Sequence, residues 1–99
     1  MTNFINNFDN IIFAYEPVWS IGTGKIPKTN ELKKVIIFIK KFLRKKFRNA
    51  DYSKVVYGGS VNSSNIYAFS SIDDIDGFLI GSASLSSKKF IDIIKNYYK

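Results

Sequence analysis

Short apolar runs alternate along the chain with longer stretches in which apolar residues recur every three or four positions. Ile11-Ile12-Phe13-Ala14-Tyr15, Lys54-Val55-Val56-Tyr57 and Gly77-Phe78-Leu79-Ile80-Gly81 are nearly continuous in apolar character. Parallel strands covered on both faces have that pattern. Between the first two runs, Leu32, Val35, Ile36, Ile39, Phe42, Leu43 and Phe47 mark the buried stripe of a helix from Thr29 to about Phe47. Thr29 is placed to cap this helix, and Glu31 lies early enough to favour the positive end of its dipole. A short helix is expected from Asn62 to about Phe69. A last one is expected from Ser86 to Tyr97, with Phe90, Ile91, Ile94 and Tyr97 on its inner side.

The connections divide these elements into units. Residues 1–10 are polar and Asn-rich and read as a lead-in. Pro17 must end the first strand, because proline has no N–H to give to a ladder. The loop over residues 17–28 begins stiffly with Pro-Val-Trp, continues through a pliable Gly-Thr-Gly-Lys and closes at Pro27. Asn49-Ala50-Asp51-Tyr52-Ser53 reads as a turn, and 70–76 as a Ser/Asp-rich connection. One partial domain results, with βα units at 11–48, 54–69 and 77–97 in the order βαβαβα. Short strands alternating with helices imply a parallel sheet with right-handed crossovers.

Composition narrows the chemistry more than the fold. The 99 residues suffice for one small domain, and a 45% hydrophobic content is that of a globular chain. The longest nearly apolar run, Val35 to Ile39, is far too short to span a bilayer, and the N-terminus lacks the basic and small-residue marks of a signal peptide. Cysteine is absent, which removes disulfides and thiolate metal sites, and nothing argues for export. Histidine is absent too, so no imidazole acid, base, electrophile or metal ligand comes from this polypeptide. The net charge of +7 raises the possibility of a nucleic-acid partner. Lys33, Lys34, Lys40, Lys41, Arg44, Lys45 and Arg48 mostly fall opposite the apolar stripe of the first helix. Without interleaved aromatics they read as a solvated outer face, and the richness in Lys, Ile, Asn, Phe and Tyr matches a bias towards A- and T-rich codons.

The residues suited to chemistry cluster just beyond the strand ends. Glu16, Gly58-Gly59-Ser60 and Gly81-Ser82 each follow the C-terminal end of a strand and precede a helical unit. Ligands bind at that edge of parallel α/β folds. Glycines there let backbone N–H groups approach an anion, and a following helix start adds its positive end. Two such loops with a carboxylate from a third suggest a phosphorylated substrate handled by one general base. Each loop by itself also reads as an ordinary tight turn. A strand-end carboxylate followed by a loop able to move as a flap is the arrangement expected of a base beneath a lid that excludes water.

The stretch Ala14-Tyr15-Glu16-Pro17-Val18-Trp19-Ser20-Ile21-Gly22-Thr23-Gly24-Lys25 resembles a signature of the triosephosphate isomerase family. Tyr57-Gly58-Gly59-Ser60-Val61 and Ile75-Asp76-Gly77-Phe78-Leu79-Ile80-Gly81-Ser82-Ala83-Ser84-Leu85 resemble two later signatures, in the right order. The resemblance covers about residues 10–97 and implies an α/β fold, a partial TIM (β/α)8 barrel of three consecutive parallel βα units. It implies that Glu16 is the base that moves a proton between adjacent carbons of dihydroxyacetone phosphate and glyceraldehyde 3-phosphate through an enediol. Gly22, Ser60, Gly81 and Ser82 would contact the substrate phosphate. Pro17, Val18, Trp19, Ser20, Ile21, Thr23, Gly24 and Lys25 would belong, with Gly22, to a mobile lid, and the Tyr57 and Ser60 hydroxyls would latch it. A glutamate base beneath a closing lid is this family's general design. No cofactor or metal is implied.

The departures are also informative. Ser82 stands where the family usually has a second glycine, and Ser20 where its lid usually has alanine. The family's substrate-binding lysine, its electrophilic histidine and its dimer loop belong to barrel units preceding these three. The chain is therefore expected to be a truncated product or one half of a split enzyme, inactive until an N-terminal half is supplied. Three strands are expected to leave two open sheet edges and an exposed apolar face. The family is homodimeric and the expected compartment is the cytoplasm, with no membrane partner. A non-catalytic, phosphate-binding remnant is the alternative, and a basic nucleic-acid module a weaker one.

Overall fold

The computed structural model describes residues 11–47 and 53–99. The lead-in at 1–10, Arg48 and the turn residues 49–52 lie outside the described residues. The apolar runs form β1 (Ile12–Tyr15), β2 (Lys54–Gly58) and β3 (Gly77–Leu79) in one sheet of order β1-β2-β3. Both pairings are parallel, with Tyr15 beside Tyr57 and Tyr57 beside Phe78. Asp76 fastens the entry to β3: its carboxylate accepts from the Val55 N–H at 2.8 Å, and its own N–H donates to the Val55 carbonyl at 2.9 Å. Lys40 Nζ reaches the same carboxylate at 3.0 Å, so one cation of the basic helix ties that helix to the sheet rather than facing solvent.

Three helices follow their strands: α1 (Thr29–Lys46), α2 (Ile66–Ser70) and α3 (Ser87–Tyr97). Thr29 is the first helical residue of α1 and not its cap. Lys28 holds the cap position, its carbonyl accepting the first helical hydrogen bond from Leu32 N–H at 2.9 Å without a side-chain cap. Leu32, Ile36 and Leu43 are buried as expected, whereas Phe42, at the margin of the stripe, is 48% exposed. Phe38 is also exposed, so the outer face of α1 carries aromatic as well as basic residues.

The second helix begins later than expected because asparagines occupy its lead-in. Asn62 Oδ1 accepts from Ser64 and Asn65 N–H, and Asn65 Oδ1 accepts from Asn62 N–H, a reciprocal set of side-chain bonds over the lead-in turn. Ile66 N–H makes the first helical bond, to the Asn62 carbonyl at 3.1 Å. In α3 the inner side is set by Ile93, which is buried, while Phe90, Ile91, Ile94 and Tyr97 remain partly open. Ile91 lies about 100° around the helix from Phe90, whereas Ile93, Ile94 and Tyr97 return to its side. Those residues line a cleft of about 360 Å³ against Phe78 and Ile80.

The core lies between the helices and one face of the sheet. Val55 and Tyr57 of β2 pack there with Leu32, Ile36, Ile66, Phe69 and Ile93, and Phe13, Tyr15 and Phe78 complete it. Tyr15, Tyr57, Phe69, Phe78 and Tyr97 form a row of neighbouring rings with centroids 5.3–6.3 Å apart. On the opposite face Ile12, Ala14 and Leu79 are exposed. The strands therefore have one covered face among the described residues, not two, and that difference decides where the functional groups stand.

Candidate active site

Pro17 ends β1 one residue after Glu16, so the glutamate is the last residue carried by the direction of the strand. Counting back by two through Ala14 to Ile12 places Glu16 on the uncovered face. Its side chain lies across the end of β2. A Cβ added to Gly58 would stand 3.1 Å from Glu16 Oε1 and 3.1 Å from Leu79 Cβ. The carboxylate thus settles into space that a larger residue at position 58 would crowd by a few tenths of an ångström. Glu16 is exposed, in contrast with the water-shielded base expected, because nothing among the described residues covers this face of the sheet.

The loop after Glu16 is folded back on the strand ends. Val18–Ser20 form one turn of 3₁₀ helix, with Pro17 and Ser20 buried and Val18 and Trp19 facing out. Thr23 Oγ1 donates to the Trp19 carbonyl at 2.7 Å and accepts from Lys25 N–H at 3.1 Å, closing the glycine-bearing end on itself. Ser20 Oγ, fully buried, donates to the Lys25 carbonyl and lies 3.1 Å from the Tyr57 hydroxyl.

Ser60 joins this loop to β2. Its hydroxyl accepts from Gly24 N–H at 2.9 Å and donates to the Ser20 carbonyl at 2.5 Å, clamping both arms of the loop. Its backbone takes φ 53°, a left-handed conformation uncommon for a residue with a Cβ. Asn65 Nδ2 donates to the Ser60 carbonyl at 2.9 Å and helps to hold it there. Preceding it, Gly59 has φ 145°, and a Cβ there would meet Ser20 Oγ and the Tyr57 hydroxyl at 2.7 Å. Glycine is required at 59 on both counts. Burial raises the Tyr57 phenol above its ordinary pKa; the hydrogen bond with Ser20 lowers it in part and neighbouring Tyr15 adds to the rise.

Beyond β3, Gly81 leads into a 3₁₀ turn over Ser82–Leu85, and Ser86 caps α3 by accepting from Lys89 N–H at 3.3 Å. A cavity of about 710 Å³ brings together Glu16, Gly22, Gly24, Ser60, Gly81 and Ser82. Ile21 lines it as well. Pro17, Val18, Trp19, Ser20, Thr23, Lys25 and Tyr57 do not reach it and act on the loop that borders it. Two residues of the site had no distinctive mark in the sequence. Asn65 fixes the Ser60 backbone, and Lys89 brings a cation to the cavity wall from the first turn of α3. The only linear hint of Lys89 is its place just after the Gly81-Ser82 loop.

Comparison with known proteins places the chain in a family. The sequence profile of the triosephosphate isomerase family matches residues 2–97. The chain is 44% identical to triosephosphate isomerase of Dictyostelium discoideum over 90% of its own length and 35% of the relative's. It is 42% identical to that of Buchnera aphidicola over 89% of its length and 35% of the relative's. Chloroplastic triosephosphate isomerase of Arabidopsis thaliana is 39% identical over 93% of this chain and 30% of that protein. The chain thus spans about a third of the length of the curated relatives it matches. Three parallel strands with their helices in one open sheet are what part of a TIM-type barrel would contain. Matched along nearly its whole length, the chain belongs to the triosephosphate isomerase family.

Proposed function

We propose that this chain is the C-terminal part of a triose-phosphate isomerase, acting in glycolysis and gluconeogenesis in the cytoplasm. The observation that carries the reading is the convergence of one strand-end carboxylate, Glu16, with Gly22, Ser60, Gly81 and Ser82 around a single cavity. Backbone N–H groups of the latter four bind the phosphate of dihydroxyacetone phosphate or glyceraldehyde 3-phosphate. Glu16 takes a proton from one carbon and returns it to its neighbour through the enediol, which requires the carboxylate to stand within reach of both carbons. Residues 17–25 close over the phosphate, with Tyr57 and Ser60 as the latch. Closure shields the carboxylate and keeps the enediol phosphate from water.

The electrophile that polarises the substrate carbonyl has to come from elsewhere, since the chain has no histidine. Further barrel units, in the same or a partner polypeptide, fit that need, and those units also cover the open face. For the 99 residues alone, the exposure of Glu16 and the absence of histidine favour a narrower reading, phosphate binding without turnover. The test is co-expression with the N-terminal two-thirds of the Dictyostelium relative. Isomerase turnover is expected in the complex and not in the isolated chain. Glu16→Gln in the complex is expected to lower kcat by at least about a hundredfold. Unchanged turnover in Glu16→Gln would remove Glu16 from the mechanism, and near-native turnover of the chain alone would refute its incompleteness.

A further inference from the structure

The two arms of the loop meet at a pair of buried hydroxyls with too few protons for their contacts. Ser20 Oγ donates to the Lys25 carbonyl. The Tyr57 hydroxyl donates to the Gly59 carbonyl at 2.8 Å. The two hydroxyl oxygens are themselves 3.1 Å apart, within hydrogen-bonding distance in either direction. Each hydroxyl carries one proton, and carbonyl oxygens only accept. Three contacts are therefore shared by two protons. Ser20 is fully buried, so solvent does not supply the missing donor.

Three arrangements satisfy the pair equally in number of hydrogen bonds. A relay in which Tyr57 donates to Ser20 and Ser20 to Lys25 releases the Gly59 carbonyl, and the other two differ at the Lys25 arm. In one, Ser20 donates to Lys25 and Tyr57 to Gly59. In the other, the Ser20 proton swings to the Tyr57 oxygen, Tyr57 keeps Gly59, and the Lys25 carbonyl is released. Both hydroxyls stay paired throughout. An alanine at position 20, usual for this family's lid, has no hydroxyl with which to do this.

We propose that Ser20 is a positioning residue, a two-position clasp that holds the Lys25 arm of the loop and hands its proton to Tyr57 when that arm lifts. The clasp rests on the reading of residues 17–25 as a lid. It makes the release of the second arm less costly than the rupture of an isolated buried hydrogen bond. It also predicts opposite effects for two substitutions within one contact. Ser20→Ala leaves the Lys25 carbonyl without its donor and loosens the arm. Tyr57→Phe removes the alternative acceptor, leaves Ser20 committed to Lys25 and tightens it, so that within the latch Ser60 does the holding and the Tyr57 hydroxyl lets the Lys25 arm go.

Amide hydrogen exchange on the 99-residue chain separates these cases. Gly24 N–H, held by Ser60 Oγ next to Lys25, reports the arm, and Val55 N–H, held by Asp76, reports the core. Ser20→Ala is expected to speed Gly24 exchange, by less than the roughly fivefold that one ordinary hydrogen bond is worth because release in the wild type keeps Ser20 paired, with Val55 unchanged. Tyr57→Phe is expected to slow Gly24 exchange, and the double variant to behave as Ser20→Ala does. Gly24 exchange that is unchanged in Ser20→Ala, or unchanged or faster in Tyr57→Phe, overturns the clasp. Should Ser20→Ala also disturb Val55, Ser20→Cys, similar in size but a weak donor, takes its place under the same criteria. Exchange is read without substrate, so failure here leaves the isomerase reading standing, and absence of turnover leaves the clasp standing.

Discussion

On one face of the sheet Val55 and Tyr57 are shut from solvent beneath Leu32, Ile36, Ile66 and Phe69. On the other, carried by the same strands, Ile12 is 64% exposed and Leu79 43%. The covered face has the row of aromatic rings and the burial that stabilises the fold. The open face has Glu16. Strands written in continuous apolar residues are suited to two covers, and the described residues make one. The proposed base stands at the end of a strand on the side where the described residues leave the sheet uncovered. Tyr57 connects the two sides: its ring belongs to the core and its hydroxyl meets the loop that borders the cavity.

The largest effect tests the division itself. Phe69→Ala should cost about 3–5 kcal/mol, because its ring is fully buried between Tyr57 and Phe78. Val56→Ala, on β2 between Val55 and Tyr57 and facing the other way, should cost less than about 1 kcal/mol. Similar losses for both in denaturant titrations would break the contrast, since the open face would then be covered in solution.

A middling effect sharpens it where the two sides meet. Gly59→Ala combines a forbidden φ with contacts at 2.7 Å to Ser20 and Tyr57, and should cost about 1–3 kcal/mol. Gly81→Ala, whose added carbon meets nothing within 4 Å, should cost less than Gly59→Ala. Thermal unfolding of the two variants makes the comparison, and equal shifts would deny that Gly59 is the tight point.

The smallest effect is a pH slope. Burial favours the neutral Tyr57 phenol in the folded chain, while the unfolded chain releases that proton near its ordinary value of 10.0. Above that value the unfolded state binds fewer protons, so stability is complete below it and falls as pH rises through the raised folded value. Tyr57→Phe should flatten this alkaline slope, and chemical denaturation at stepped alkaline pH reads it. A slope unaltered by the substitution would assign it to another group.

The strands were legible because apolar continuity bounded by Pro17, Gly59 and Gly81 allows little else, and Pro17 fixes how far Glu16 extends the strand. The start of α2 was not, because Asn62 and Asn65 spend their side chains on their own backbone, a choice that helix periodicity does not register. Ile93 was missed in favour of Ile91 for a simple angular reason: the two lie on different sides of α3. Lys89 and Asn65 reach the site only through the packing of separate elements, and no local pattern announces that. The open face itself was expected from counting strands, while the exposure of Glu16 followed from it and was not anticipated by the motif.

One missing methyl group acts as a ruler. Because Gly58 has no Cβ, the Glu16 carboxylate settles low over the sheet, against the end of β2 and beside Leu79. An alanine there would press on both neighbours at 3.1 Å, and the pair would have to rise together by a few tenths of an ångström. The height of the carboxylate above its platform is thus set by a neighbouring strand and not by the glutamate's own. A change that touches no polar atom at position 58 would retune the reach of the carboxylate.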